Sequence, residues 1–310
     1  MTRARDFLGP YRLVRLIRVG NTCQVWEAAK TDEATHYALK VLREDLRKNR
    51  SELAALRNEW DVGGKLKHAN IIKLHEYNRE ASTPYLVLEL FEYPNLKLLL
   101  RQGHQSLAYL VPKIIEQAAE ALFYMHGEGW VHCDVKPDNF LVNEDGVVKL
   151  IDFAISRRIK RGLSALFSFG GGKVQGTRSY MSPEQIRGKS LDERSDVYSF
   201  GCVVVELLTG KPPFTGSTAD ELLSRHLTAP IPSLIAANDN VTPELANLVR
   251  RAMAKRRDDR HRSMYDFLME FRALRVFKIN PKPPASKIIH SGEVTASVED
   301  LFKNPSGKKG

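Results

Sequence analysis

The first part of the chain alternates short apolar runs with turn-forming residues, whereas most of the remainder follows a helical period. Alternation of that kind indicates an antiparallel sheet, because successive side chains of a strand point to opposite faces. Gly20 and Asn21 separate the first two runs in the manner of a turn. The pattern predicts strands at Tyr11 to Val19, Cys23 to Lys30, His36 to Leu42 and Tyr85 to Leu90.

Helical periodicity dominates the second half of the chain, and residues 44 to 67 are also rich in helix-forming residues. The run from Asp196 to Gly210 is apolar on nearly every face, which indicates a central, buried helix that Gly210 ends. Pro112 lies inside another helical pattern, where it either kinks the helix or begins its first turn. Further helices are predicted at Leu107 to His126, Thr218 to Leu227, Thr242 to Lys255 and Ser263 to Val276.

One short stretch, residues 131 to 154, holds most of the candidate chemistry. A polar turn at residues 143 to 146 separates two apolar runs, so the stretch predicts a β-hairpin. A hairpin brings Asn139, just before its first strand, near Asp152, just after its second. Two oxygen ligands that meet in this way suit a hard cation such as Mg²⁺. Asp134 lies outside that pair and is free to accept a proton, so the stretch predicts a site for phosphoryl transfer.

The same stretch resembles the catalytic and metal-binding loops of protein kinases, through HCDVKPDN at residues 132 to 139 and DFA at residues 152 to 154. Lys136, two residues after the aspartate and followed by proline, is typical of the Ser/Thr-specific branch. Two letters depart from the family pattern, since Cys133 replaces an arginine and Ala154 replaces a glycine. The strings GTRSYMSPEQIRG and DVYSFGCVVVELLTGKPPF further resemble the bacterial eukaryotic-like (Hanks-type) kinases.

The resemblance implies an α+β fold in the two-lobed arrangement of protein kinases. The N-lobe would contain an antiparallel β-sheet and one long helix, and the C-lobe would be mainly helical. Residues 278 to 310, rich in Pro, Lys and Ser, predict a disordered tail. The expected divisions are an N-terminal lead at 1–10 and a kinase domain at 11–277, with its N-lobe at 11–88, hinge at 89–94 and C-lobe at 95–277.

The resemblance also implies the cofactors, ATP and Mg²⁺, with Mn²⁺ as an alternative metal. Lys40 would grip the ATP phosphates, and Glu59 would orient it through an ion pair. Asn139 and Asp152 would hold the metal.

The acceptor side of the site follows from the same resemblance. Asp134 would accept or orient the proton of the attacking Ser/Thr hydroxyl, and Lys136 would steady the transferring phosphate. Thr177 would contact Asp134 and favour a Ser/Thr acceptor. Glu184 would pair with Arg262 in a structural bridge.

The expected nucleotide pocket is less regular, because Gly20 fills only one of the three glycine places in the flap over the phosphates. Leu88 occupies the gatekeeper place beside the adenine, and backbone groups of Glu89 and Phe91 would pair with the base. The full set expected to bind the nucleotide is Arg18, Val19, Gly20, Val25, Ala38, Lys40, Leu88, Glu89, Phe91 and Leu141.

Three departures leave a second function open, a nucleotide-binding pseudokinase or scaffold with little or no catalysis. They are the eroded glycine flap, Ala154, and Gly63 inside a predicted helix, where each glycine costs about 1 kcal/mol relative to alanine. By resemblance Gly63 leaves an apolar column with no side chain at one level, so we expect the active placement of this helix to need outside support. Retention of the polar site residues favours catalysis.

Cys133 suggests an unusual mode of regulation. The arginine that it replaces normally clamps a phosphate on the activation segment. A phosphate at Ser164 or Ser168 would then be read by basic residues of the segment itself, and we expect activity to depend weakly on phosphorylation. Those basic residues are Arg157, Arg158, Lys160 and Arg161.

Composition narrows the partners. The 310 residues are 43% hydrophobic and 27% charged, as in ordinary globular proteins. The net charge of +10 lies partly in the tail and partly in one loop, without a basic stripe interleaved with aromatic residues, so solvated charge is favoured over nucleic-acid binding. The expected partner is a protein substrate with a Ser/Thr acceptor, and self-association for autophosphorylation is a further option.

The same survey gives an expected location. No apolar run reaches the length of a membrane span, and charges interrupt the start of the chain where a signal peptide would be apolar. Three widely spaced cysteines lack metal-ligand spacing and indicate reduced thiols. The sequence therefore predicts a cytoplasmic location.

Overall fold

The computed structural model describes residues 7–31, 33–79, 83–159 and 176–283. The predicted strands form one antiparallel sheet, extended by two strands that the sequence pattern did not predict, with the order β1-β2-β3-β4-β6-β5. The strands are β1 (Phe7–Leu8), β2 (Tyr11–Val19), β3 (Cys23–Lys30), β4 (His36–Leu42), β5 (Leu74–Asn78) and β6 (Tyr85–Glu89).

Helix α1 (Arg50–Gly63) packs against this sheet and is shorter than predicted. It begins after Asn49, whose side chain accepts hydrogen bonds from the amides of Ser51 and Glu52. That N-cap fixes the start of the helix, because it satisfies amides that have no partner within the first turn. Gly64 ends the helix, and the segment Glu44–Leu46 is a separate 3₁₀ turn.

The rest of the described chain is mainly helical, as expected. Pro112 lies in the first turn of its helix, after a 3₁₀ segment, where a missing amide hydrogen costs nothing. The remaining helices are α2 (Leu96–Arg101), α3 (Val111–Gly127), α4 (Pro183–Ile186), α5 (Glu193–Thr209), α6 (Ala219–Thr228), α7 (Leu234–Ala237), α8 (Pro243–Ala252) and α9 (Met264–Arg272).

Helix α5 forms the centre of this helical region. Nearly all of its residues are buried, as its all-round apolar pattern predicted. Gly210 ends the helix with a left-handed φ of 75°, a conformation that glycine adopts without the steric cost of a Cβ atom. Within the described ranges, no helix has both the length and the apolar character that crossing a bilayer requires.

The predicted hairpin is confirmed. Strands β8 (Phe140–Val142) and β9 (Val148–Leu150) pair antiparallel, and Asn143 stabilises the turn by accepting a hydrogen bond from the amide of Val147 at 2.7 Å. A second small sheet pairs β7 (Trp130–Val131) with β10 (Arg157–Arg158). The β7–β10 pair joins the two ends of the stretch that carries the candidate chemistry, and the hairpin orders its middle.

The expected bridge from Glu184 to Arg262 is wrong, because Arg260 takes that place. Its Nη1 and Nη2 atoms lie 2.8 and 2.9 Å from the two carboxylate oxygens of Glu184, and both side chains are buried. Ser195 donates a further hydrogen bond to the carboxylate at 2.7 Å. Although burial opposes ionisation, Arg260 holds the pKa of Glu184 below its ordinary value. Arg260 and His261 are buried, whereas Arg262 is exposed and directly precedes Ser263, the N-cap of α9.

We expect Arg260→Ala to lower the free energy of unfolding by about 3–5 kcal/mol, because it leaves the buried carboxylate of Glu184 without its partner. Arg262→Ala removes the same side chain from an exposed position two residues away and should change stability by less than about 0.5 kcal/mol. Denaturant unfolding of both variants measures the difference. A larger loss for Arg262→Ala would contradict the pairing.

Candidate active site

Lys40 connects the sheet, helix α1 and the hairpin. Its Nζ atom lies 2.6 Å from Oε2 of Glu59 and 3.1 Å from Oδ1 of Asp152. Burial acts against the charged ammonium, but the carboxylates of Asp152 and Glu59 raise the pKa of Lys40 above its ordinary value. The structure thus brings together three residues that stand far apart in the sequence, and the ammonium stays charged between two acids.

The two acids differ in their electrostatic state. Burial raises the pKa of Glu59, which lies wholly inside the protein and shares the single charge of Lys40 with Asp152. Burial also opposes the ionisation of Asp152, but Lys40 lowers the pKa of that carboxyl to about 2. Asp152 therefore presents an ionised carboxylate at neutral pH.

Asp134 lies in a second polar cluster. Its Oδ2 atom accepts a hydrogen bond from Nζ of Lys136 at 2.6 Å, and its Oδ1 atom accepts one from the amide of Thr177 at 2.8 Å. Lys136 also donates to the hydroxyl of Thr177 at 2.8 Å. The predicted contact between Thr177 and Asp134 is confirmed, although it is formed by the backbone of Thr177. One carboxylate, one ammonium and one hydroxyl are thus held in direct contact.

The donor set of Asn139 and Asp152 fits a hard divalent cation. Asn139 donates from its side-chain nitrogen to the carbonyl of Asp134 at 2.9 Å, so its amide oxygen is directed to the other side. The carbonyl of Asn139 accepts the amide of Ile151 at 3.0 Å, which joins the two ends of the hairpin. In the described part of the chain no cluster of three or more His, Cys, Asp or Glu could hold a metal alone. Further ligands would therefore come from phosphate and water.

Asp196 on helix α5 holds the backbone at the start of the stretch 131–154. Its carboxylate accepts the amides of His132 at 2.7 Å and Cys133 at 3.0 Å, and Nε2 of His126 lies 2.8 Å from it. Gln185 adds a hydrogen bond to the carbonyl of Cys133 at 2.8 Å. The two of these bonds that involve the backbone of Cys133, to Asp196 and from Gln185, hold it at a φ of 69°, a left-handed conformation that costs a non-glycine residue about 1–2 kcal/mol.

Cys133 itself faces the interior. Its thiol donates to the carbonyl of Val131 at 3.5 Å, and burial raises its pKa well above the ordinary value. The side chain is a buried, neutral thiol, so this position offers no charge to a phosphate.

The expected gap at Gly63 is closed by its neighbours. A Cβ atom at Gly63 would stand 2.7 Å from the ring of Phe153 and 3.0 Å from the side chain of Leu74, so both side chains pack directly against the bare backbone. The ring of Phe153 also makes an edge contact with His132 at 5.7 Å between centroids. The column is continuous, and the glycine permits a closer approach of the hairpin to helix α1.

Ala154 also fits its place without backbone strain. Among the described non-glycine residues, positive φ angles occur at Cys133 and Asp152 alone. An alanine after Phe153 is therefore compatible with this conformation, whereas a flip that required positive φ at Ala154 would be disfavoured.

The residues expected around the nucleotide lie on the six-stranded sheet, on the segment that follows β6, and on β8. Ala38 and Leu88 are register partners in β4 and β6, and both are buried. Gly20 closes the β2–β3 turn by donating its amide to the carbonyl of Cys23 at 2.8 Å. Arg18 and Val19 are exposed, and the others are half-buried or contact neighbouring elements. These are Val25, Glu89, Phe91 and Leu141.

The structure also shows contributors that the sequence did not reveal. Asn58 on α1 and Gln185 on α4 both donate to backbone carbonyls of the site. An isolated amide side chain on a helix has no sequence signal that separates it from a solvated polar residue. Their partners became apparent only in three dimensions.

The basic residues expected to read a phosphate are only partly described. Ser164, Ser168, Lys160 and Arg161 lie outside the described residues. Arg158 lies 4.3 Å from the ring centroid of Trp130 and donates to the carbonyl of Glu128 at 2.9 Å, so this guanidinium already has partners. The role of Ser164 and Ser168 stays a prediction.

Comparison with known proteins agrees with this geometry. The family model for the protein kinase domain matches residues 11–269. The serine/threonine-protein kinase PknB of Mycobacterium tuberculosis is 33% identical, in an alignment that covers 100% of this chain and 49% of the relative. A probable serine/threonine-protein kinase of Streptomyces coelicolor is 32% identical, over 88% of this chain and 41% of its own length. PknA of Mycobacterium tuberculosis is 34% identical, in an alignment that covers 89% of this chain and 63% of the relative. The chain thus spans about half the length of the PknB relative that it matches.

We expect Gly63→Ala to lower the free energy of unfolding by about 1–3 kcal/mol, because the added methyl group overpacks the contact with Phe153 and Leu74. Helix propensity alone predicts the opposite sign, a gain of about 1 kcal/mol. Gly127→Ala is the matched control, since Gly127 is an exposed helical glycine with no atom near the added methyl group. It should be neutral or slightly stabilising in denaturant unfolding. A gain at both positions would contradict the close contact.

Proposed function

The chain belongs to the protein kinase family, and from this premise we propose that it transfers the γ-phosphoryl group of ATP to Ser/Thr hydroxyls of protein substrates. We assign the kinase domain to residues 11–277, as the sequence predicted. The observation that carries the proposal is the contact of Lys40 with both Glu59 and Asp152. Asp152 lies on the same stretch, residues 131 to 154, as Asp134 and Lys136, which contact each other and Thr177. The proposal names Mg²⁺ as the metal, with Mn²⁺ as the alternative.

Lys40 performs the first task, because its charged ammonium binds the phosphates of ATP while Glu59 fixes its position. The ionised carboxylate of Asp152 and the amide oxygen of Asn139 would hold the metal, which would supply positive charge to neutralise the phosphates. Leu88 and Ala38 supply an apolar surface for the adenine. These groups position the γ-phosphate and leave its chemistry to the acceptor side.

Asp134 orients the acceptor hydroxyl and takes its proton as the new O–P bond forms and ADP leaves. Lys136, already beside Asp134 at 2.6 Å, balances the negative charge that spreads over the transferring group. Thr177 completes the acceptor side, since its amide and hydroxyl contact Asp134 and Lys136. The proposed Ser/Thr specificity is supported by the relatives, which are named serine/threonine-protein kinases.

We expect Asp134→Asn to reduce phosphate incorporation from labelled ATP and Mg²⁺ by about 10²–10⁴-fold, because the amide cannot accept the hydroxyl proton. Asp145→Asn is the matched control, because it makes the same chemical change at an exposed turn of the hairpin. Its incorporation should stay within about twofold of the unchanged protein. Absence of incorporation in the unchanged protein, together with nucleotide-dependent thermal stabilisation, would contradict catalysis and support a scaffold.

We also expect activity to depend weakly on phosphorylation of the segment, because the buried thiol of Cys133 cannot clamp a phosphate. After phosphatase treatment, the double variant Ser164→Ala/Ser168→Ala should turn over within about tenfold of the untreated protein, which corresponds to about 1.4 kcal/mol. Single-turnover incorporation measured on both samples tests this. A greater loss would show that phosphorylation is required despite Cys133.

A further inference from the structure

Asn58 connects helix α1 directly to the segment that follows the metal-binding aspartate. Its side-chain nitrogen lies 3.2 Å from the carbonyl oxygen of Phe153, 3.0 Å from that of Ala154 and 3.1 Å from that of Ser156. An amide nitrogen carries two hydrogens and no acceptor, so it is suited to a group of converging carbonyl oxygens. One side chain thus satisfies a backbone turn that lies about 95 residues away in the sequence.

Asn58 and Glu59 are consecutive residues, and together they hold both sides of Asp152. Glu59 fixes Lys40, which contacts the carboxylate of Asp152 at 3.1 Å. Asn58 fixes the carbonyls immediately after Asp152. The side chain and the following backbone of the same residue are therefore both tied to one turn of helix α1.

The backbone of Asp152 needs such support. Its φ of 70° is a left-handed conformation that costs a non-glycine residue about 1–2 kcal/mol. Conformations of this kind persist only where the surrounding structure fixes them. The turn after Asp152 has one internal hydrogen bond, from the amide of Ser156 to the carbonyl of Phe153 at 3.1 Å, and Asn58 caps the same turn from outside.

We propose that Asn58 is a positioning residue, which locks the metal-binding segment 152–156 onto helix α1 so that the two move as one unit. Its hydrogen bonds go to backbone carbonyls, so it acts through the backbone that places the Asp152 carboxylate. Gly63 lies five residues further along the same helix, and Phe153 packs closely against it. Phe153 therefore contacts α1 both at Gly63 and, through its carbonyl, at Asn58. Any partner or modification that shifts helix α1 therefore also shifts Asp152.

The test uses Asn58→Asp and Asn58→Leu, which keep the approximate size of the side chain and remove its N–H donors. Asn58→Asp also directs carboxylate oxygens at three carbonyl oxygens, so it should have the larger effect. In the full chain without nucleotide or metal, the amides of residues 153–159 should exchange with deuterium at least about tenfold faster in both variants than in the unchanged protein. Unchanged exchange in both variants would overturn the inference.

A second readout separates positioning from general stability. Both variants should lose at least about tenfold in turnover with Mg²⁺ and ATP, while the Kd for ATP without metal stays within about twofold. Equal losses in turnover and in metal-free ATP binding, together with a lower melting temperature, would overturn the positioning role and indicate a structural one. Asn49→Asp is the matched control, because the same substitution at the N-cap of α1 keeps the acceptor that its role needs.

The catalytic consequence rests on the proposed function, whereas the exchange measurement does not. If the unchanged protein incorporates no phosphate but both variants exchange faster, the proposed function fails and the connection through Asn58 stands. If the unchanged protein is active and both variants retain its turnover and its exchange pattern, the inference fails and the proposed function stands.

Discussion

The structure of the site depends on one buried ammonium shared by two acids. Lys40 lies between Glu59 and Asp152, so the sheet, helix α1 and the hairpin all contribute to a single charge cluster. Withdrawal of any one of these elements would leave a charged group in the interior without its partner, which costs several kcal/mol. That cost links the position of helix α1 to the arrangement of the site.

Helix α1 is connected to residues 152–156, which follow the hairpin, at three places. Glu59 acts through Lys40, Asn58 binds the backbone after Asp152, and Gly63 lets Phe153 approach closely. The departure at Gly63, which in sequence suggests a weakened column, is therefore part of a tighter contact. Support for the placement of α1 comes from inside the described structure, through Glu59, Asn58 and the close contact at Gly63.

The helical region fixes the catalytic stretch from the opposite side. Asp196 holds the amides of His132 and Cys133, and the buried pair of Glu184 and Arg260 holds the segment that carries Thr177 against α5. Cys133 needs this support, because its left-handed backbone is strained and its side chain offers only a buried thiol. Cysteine at this position provides no charge, and Asp196 and Gln185 hold its backbone.

The sequence by itself determined four of the six strands of the sheet, the hairpin, the central helix and its end at Gly210, and it predicted that Asn139 lies near Asp152. These features follow from local periodicity and turn chemistry, which act over a few residues. Only the tertiary structure decided that Glu184 pairs with Arg260, 76 positions away, that Phe153 packs onto Gly63, and that Asn58 binds carbonyls about 95 positions distant. Such partners are chosen by the packing of whole elements, because a local pattern does not specify which of two nearby arginines faces inward or which helical amide meets a distant turn.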